Sequence, residues 1–297
     1  MKKIKVSLFV GFMMSFILPV GEAGAVFLLI APGAAPQSAG EANVARVDDA
    51  YATYYNPASL AFQDRPSIVG HHVNWLPNLA SDLYYEFIGY SIPLGDLGGL
   101  GGHIIFLDLG EQLATDEQGT TLGEFKSYMW ALDAGFGTRL TEKSALGLGF
   151  KVYYQKLADE VVAGETGSGK PYSTDFAFDI AYLYRSDYGS MKASHKDPFK
   201  YEFVANQGAF SDNFDRFRFG FNIANIGPSI AFIDEDQADP APTNMRIGFC
   251  ANLYDDDFIR FNMMMDMQKL LVTRYPSMDW DGDRLIGDGV YVDGINS

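Results

Sequence analysis

From Ser144 to Gln155 the chain reads SALGLGFKVYYQ, so Leu146, Leu148, Phe150, Val152 and Tyr154 share one side of an extended strand, while Gly147, Gly149, Lys151, Tyr153 and Gln155 share the other. The same period returns in Asp175 to Tyr184 (Phe176, Phe178, Ile180, Tyr182, Tyr184) and in Arg216 to Asn225 (Phe217, Phe219, Phe221, Ile223). It returns again in Ile259 to Asp266 (Ile259, Phe261, Met263, Met265). Repeated stripes of this kind predict an all-β fold, an antiparallel transmembrane β-barrel of the outer-membrane type, which shows apolar residues to lipid and small or polar ones to its lumen. A soluble β protein shares such a composition, but it would have to bury each stripe against a second sheet.

The start of the chain fits export. Lys2, Lys3 and Lys5 precede an apolar run from Val6 to Val20, and Ala23-Gly24-Ala25 forms a small-residue cleavage site, so residues 1–25 read as a cleaved signal peptide. The run is shorter than the ~20 residues a spanning helix needs, and no later stretch is long and apolar enough to be one. The single cysteine, Cys250, excludes an internal disulfide framework and lies far from the cleavage site, where a lipid anchor would need it. With a net charge of −16, and −18 once three lysines and Glu22 leave with the signal, the chain is a poor partner for nucleic acid.

Nine candidate strands, bounded by Gly, Pro, Asn and Asp clusters, follow residue 66: Ser67 to Leu76, Leu83 to Ile92, Gly99 to Leu109, Phe125 to Leu140, Ala145 to Leu157, Asp175 to Tyr184, Arg216 to Ile226, Met245 to Tyr254 and Phe258 to Asp266. Short connections (Thr141 to Ser144, Asp255 to Asp257) and long ones (Gly110 to Glu124, Ala158 to Thr174) alternate in part, as periplasmic turns and extracellular loops do. Arg185 to Asp215 breaks the pattern, being long on the short-turn side; Tyr201 to Val204 is a candidate for a strand hidden there. Residues 26–65, rich in Ala, Gly and Pro and without strand alternation, are expected to form a plug or hatch ahead of the barrel at 66–297.

Three local patterns resemble the PorV family of outer-membrane proteins, within the broader FadL-like barrel superfamily. The first runs from Ala25 to Phe62, with Gly40-Glu41-Ala42, Ala50-Tyr51-Ala52 and Tyr55-Asn56-Pro57-Ala58 at its heart. The second runs from Gln207 into Asn225-Ile226-Gly227-Pro228. The third pairs Pro242-Thr243-Asn244-Met245-Arg246-Ile247-Gly248 with Asp266-Met267-Gln268-Lys269-Leu270-Leu271-Val272. Where the family usually carries Arg and Gly-Met-Gly, this chain has Ala35-Pro36-Gln37-Ser38-Ala39-Gly40.

The resemblance implies type IX protein secretion. A barrel of this kind would sit in outer-membrane lipid, bind secreted cargo bearing a C-terminal signal domain, and shuttle it from the translocon to a surface attachment complex, meeting other secretion components on the way. The long loops Gly110 to Glu124, Ala158 to Thr174 and Gly227 to Thr243 would make the contacts. Plug residues Gly40, Glu41, Asn56, Pro57 and Ala58 and motif residues Asn225, Gly227, Pro228, Asn244, Arg246, Asp266 and Lys269 are the positions it singles out. An alternative from another class is a FadL-like transporter of hydrophobic solutes with residues 26–65 as its hatch. Family members continue through further strands past the equivalent of Val272, whereas this chain stops at Ser297 without a terminal aromatic strand. A truncated reading frame and an open sheet are therefore expected.

No enzyme or cofactor is expected. His71 and His72 are adjacent in a strand and so face opposite ways, while His103 and His195 are isolated, leaving no tetrahedral metal set. Asp279, Asp281 and Asp283 open like a calcium loop, but Arg284 stands where that loop needs Gly and Val290 where it needs Glu. Gly98 to Gly102 reads as the start of a strand, and Asn56-Pro57 as a turn into the first strand or a hinge in the plug.

Overall fold

The structure, a computed structural model, describes residues 23–46, 48–78, 80–115, 118–158, 171–186, 191–193, 201–203, 217–232, 238–255 and 260–272. The described residues form eleven strands: β1 Ser67–Asn74, β2 Leu83–Pro93, β3 Gly99–Thr115, β4 Thr121–Arg139, β5 Ser144–Lys156, β6 Tyr172–Arg185, β7 Met191–Ala193, β8 Tyr201–Phe203, β9 Phe217–Ile226, β10 Asn244–Asp255 and β11 Arg260–Leu270. Nine of them make one antiparallel sheet in the order β1-β2-β3-β4-β5-β6-β9-β10-β11, curled into a half-barrel with β1 and β11 at its edges. The expected strands are all present, and among the described residues the sheet is open, as expected.

The connections carry the corrections. The expected loop Gly110 to Glu124 is largely strand, because β3 and β4 keep pairing beyond their neighbours: β2 leaves β3 at Leu109, and β5 leaves β4 at Tyr128. Gln112 pairs with Phe125 and Leu113 with Glu124, so alternating, strand-favouring residues here outweigh the glycines and polar residues that suggested a loop. β11 likewise runs on through Asp266 to Leu270, where its partner Asn244 begins β10. The long connection after β6 holds the short hairpin β7–β8, whose second strand lies at the suspected Tyr201 position. Gln207, His195 and the Asp279 to Asp283 group lie outside the described residues.

The sheet carries apolar residues on its outer face as well as on its inner one. Ile88, Ile104, Leu132, Leu148 and Phe178 are exposed on its outer face, and no described element covers them. The aromatic rings of Tyr84, Phe106, Tyr128, Tyr154 and Tyr172 follow one another across five strands with neighbouring centroids 5.9–6.1 Å apart. At the base of the sheet Tyr182, Phe219 and Phe249 continue the aromatic cover.

The inner face is occupied by residues 23–46 and 48–65, which contain a 3-10 helix Val26–Leu29, helix α1 Ala34–Ser38, helix α2 Ala52–Tyr55 and a second 3-10 helix Pro57–Phe62. Phe27, Tyr55 and Leu60 of this segment, with Tyr85, Phe87, Ile105 and Tyr153 of the sheet, form the apolar core.

Candidate functional site: the seat of the N-terminal segment

Two rows of glycine bring the backbone of the segment directly onto the sheet. Gly99, Gly137 and Gly147 stand side by side in register on β3, β4 and β5, with Ala181 next on β6. A Cβ at Gly99, Gly137 or Gly147 would fall within 3.0 Å of the backbone of Leu60, Pro57 or Ala58. A second row pairs Gly220 of β9 with Gly248 of β10, under the backbone of Val44 and Ala45. These glycines are inward-facing because period two puts them there; their small size lets two backbones touch.

Polar groups then lock the fit. Asn56, fully buried, donates from Nδ2 to the carbonyls of Val44 (2.8 Å) and Tyr182 (3.1 Å), while its Oδ1 accepts from the Ala58 backbone N–H (3.0 Å). That last bond caps the 3-10 helix, with Pro57 at the first helical position, where a missing N–H costs nothing. Asp266 Oδ2 accepts from the backbone N–H groups of Asn43 and Val44, both at 2.8 Å. Arg246 donates to the Tyr54 hydroxyl (3.2 Å) and lies over the Tyr54 and Tyr55 rings at 4.8 and 5.8 Å, which spreads its charge over two aromatic faces. Asn222 donates to the Tyr55 carbonyl at 3.1 Å.

A buried charge cluster runs beneath this seat. Lys151 Nζ is 3.0 Å from Asp179 Oδ2, 4.0 Å from Asp133 Oδ2 and 2.8 Å from Asn225 Oδ1. Asp133 also faces His103 at 3.5 Å, and His103 Nδ1 is 2.8 Å from the Thr53 hydroxyl. Charges this deep are tolerable only in company: Lys151 offsets two carboxylates, and Asp179 takes the Asn225 backbone N–H at 2.8 Å as well. His103, expected to be isolated, is thus part of a network and stacks on Phe87 with centroids 5.0 Å apart. His71 and His72 do face opposite ways. His71 Nδ1 accepts from the Gly33 N–H at 3.1 Å inside, and His72 pairs with Glu86 at 2.7 Å outside. Among the described residues no group of three or more His, Cys, Asp or Glu converges to hold a metal ion.

The residues singled out in the sequence divide accordingly. Asn56, Pro57, Ala58, Arg246 and Asp266 meet around the segment. Asn225 and Asn244 both direct their amide groups to the Pro242 carbonyl, at 3.4 and 3.3 Å, with Asn225 in the left-handed region at φ 60°. Gly227 closes β9 against the Phe176 carbonyl. Gly40 and Glu41, both at positive φ, only turn the chain at the end of α1, where Glu41 N–H bonds the Pro36 carbonyl at 2.9 Å. Pro228 and Lys269 are exposed and apart from the seat. Thr53, His103, Asp133, Lys151, Asp179 and Asn222 are additions. Lone charges on the glycine side of an apolar stripe, as in ALDAGFG, LGFKVYY and FAFDIAY, are the signal that marks Asp133, Lys151 and Asp179.

No curated protein matches the chain. A family model described as type IX secretion system protein PorV matches residues 20–277, most of the chain and all of the described sheet and segment. The chain belongs to the PorV family of type IX secretion system proteins.

Proposed function

We propose that this protein spans the outer membrane as a barrel wall plugged by residues 26–65, and that it receives secreted cargo with a C-terminal signal domain and passes it to the surface attachment machinery. Together with the family, one observation carries this reading: an exposed apolar outer face surrounds an inner face that is filled by the chain itself. At ~3.3 Å per residue and a tilt of ~40°, β4 rises roughly 25 Å between Tyr128 and Thr138, the height of the apolar band of an outer-membrane barrel. On this reading the row of four tyrosines and Phe106 at the loop end serves as an interfacial girdle, with Lys156 over the Tyr128 ring at 5.7 Å.

Above that girdle, β3 and β4 continue as a free ribbon on which Leu113 and Leu122 are exposed beside Glu111 and Glu124, a surface suited to protein contact. The inner face below it is filled by the chain's own segment, with apolar packing, a buried charge cluster and direct backbone contacts taking the place that a hydrophobic solute would need. Cargo handling therefore uses the outer end and the mouth of the barrel and involves no chemistry on the cargo.

The test is co-purification. The protein is tagged in its native host, its outer membrane is extracted in mild detergent, and what accompanies it is identified by mass spectrometry. Recovery of secreted proteins sharing a C-terminal domain is the expected result. Recovery of the barrel alone with fatty acid or lipid bound would replace the shuttle reading by solute transport.

A further inference from the structure

We infer that the segment from Ile30 to Phe62 is a fixed strut that sets the curvature of the sheet, and is not a hatch that swings out. The segment touches every one of the nine strands. On one flank Gly33 bonds His71 of β1, the Tyr85 hydroxyl of β2 donates to the Ile30 carbonyl at 3.3 Å, and Thr53 meets His103 of β3. In the middle its backbone lies on Gly137 of β4 and Gly147 of β5. On the other flank it is held by the Tyr182 carbonyl of β6, Asn222 of β9, Arg246 of β10 and Asp266 of β11. At the base Asp48 receives Arg185 and Arg218 at 3.3 and 3.1 Å.

A hatch needs a dry, self-sufficient surface on each side of the parting plane. This seam joins apolar packing with polar bonds that cross it from both flanks. Release would leave Asn222, Arg246, Asp266, His103 and the Asn56 amide without these partners on a face walled by low-dielectric protein, and each orphaned group opposes release. The glycine rows would also lose their covering backbone, leaving a trough of bare carbonyls. A sheet whose two flanks grip one short segment cannot flatten while the segment stays, so strut and curvature persist together.

The inference does not depend on cargo, and neither does its test. In a Cys250→Ser background, Ser59→Cys and Ala52→Cys place thiols at buried strut positions, and Ser38→Cys places one at an exposed position. The detergent-solubilised full chain is treated with a water-soluble maleimide. The two buried positions are expected to label at least about thirtyfold more slowly than Ser38→Cys, an exposed position of the same segment, and equally fast after denaturation. A ratio below about thirtyfold would overturn the inference.

Discussion

Lys151 shows how much one inner-face residue carries. Its ammonium group answers Asp179 and Asp133 and bonds Asn225, so Lys151→Met leaves two buried carboxylates facing each other. Unfolding in detergent by urea should show a loss of about 3–5 kcal/mol, and Asp179→Asn should cost less in that background than alone. A second residue gives a pH dependence. Burial raises the Asp49 carboxyl above its ordinary value, against the bond it accepts from the Tyr51 N–H at 2.9 Å. Ionising it therefore opposes folding once the pH exceeds the unfolded value of 3.8 and increasingly as pH climbs through the raised folded value. Asp49→Asn, which keeps the acceptor, should raise the thermal midpoint at pH 7 and make no difference below pH 3.8; equal midpoints at pH 7 would refute this. Lys151 could be placed on the inner face from its stripe, but its partners could not, because Asp179 sits diagonally across a register that only pairing decides.

At the scale of the element, the strands were legible because period two is a property of the chain itself, and all nine members of the sheet lie where the stripes put them. Their ends were not. β3 and β4 outrun their neighbours by pairing only with each other, and a stripe says nothing about which partner stops first. The glycines were legible as inward and small, yet their purpose was hidden: Gly99, Gly137 and Gly147 are spaced for a segment far away in sequence that carries no period of its own. The outer stripes yield a depth-dependent prediction. Leu132→Arg, at mid-band, should destabilise the folded barrel in lipid by roughly 2–4 kcal/mol, whereas Tyr128→Arg at the girdle should cost only about 0–1 kcal/mol. Equal effects, measured by urea titration in liposomes, would mean that no bilayer surrounds this face.

For the molecule as a whole, the first residue of the mature chain is the quantity to measure. Cleavage after Ala25, expected from the sequence, would remove the Gly24 N–H bond to the Pro240 carbonyl, 3.0 Å in the full chain, and would leave the Ile30 to Phe62 segment in place. The intact mass of protein recovered from outer membranes should therefore begin at Val26; a mass retaining Ala23 to Ala25 would put the processing site elsewhere. The family could be read from local patterns, whereas the architecture behind them lies in the meeting of Arg246 and Asp266 of the sheet with the segment that holds Asn56. The free ribbon of β3 and β4 has a mechanical side. It projects along the axes of two strands that are each laced to a further strand, β3 to β2 and β4 to β5. A tug on its tip must shear both ladders at once, many hydrogen bonds in parallel, instead of peeling them one by one. Whatever grips that ribbon holds a stiff handle anchored where β2 joins β3 at Leu109 and β5 joins β4 at Tyr128.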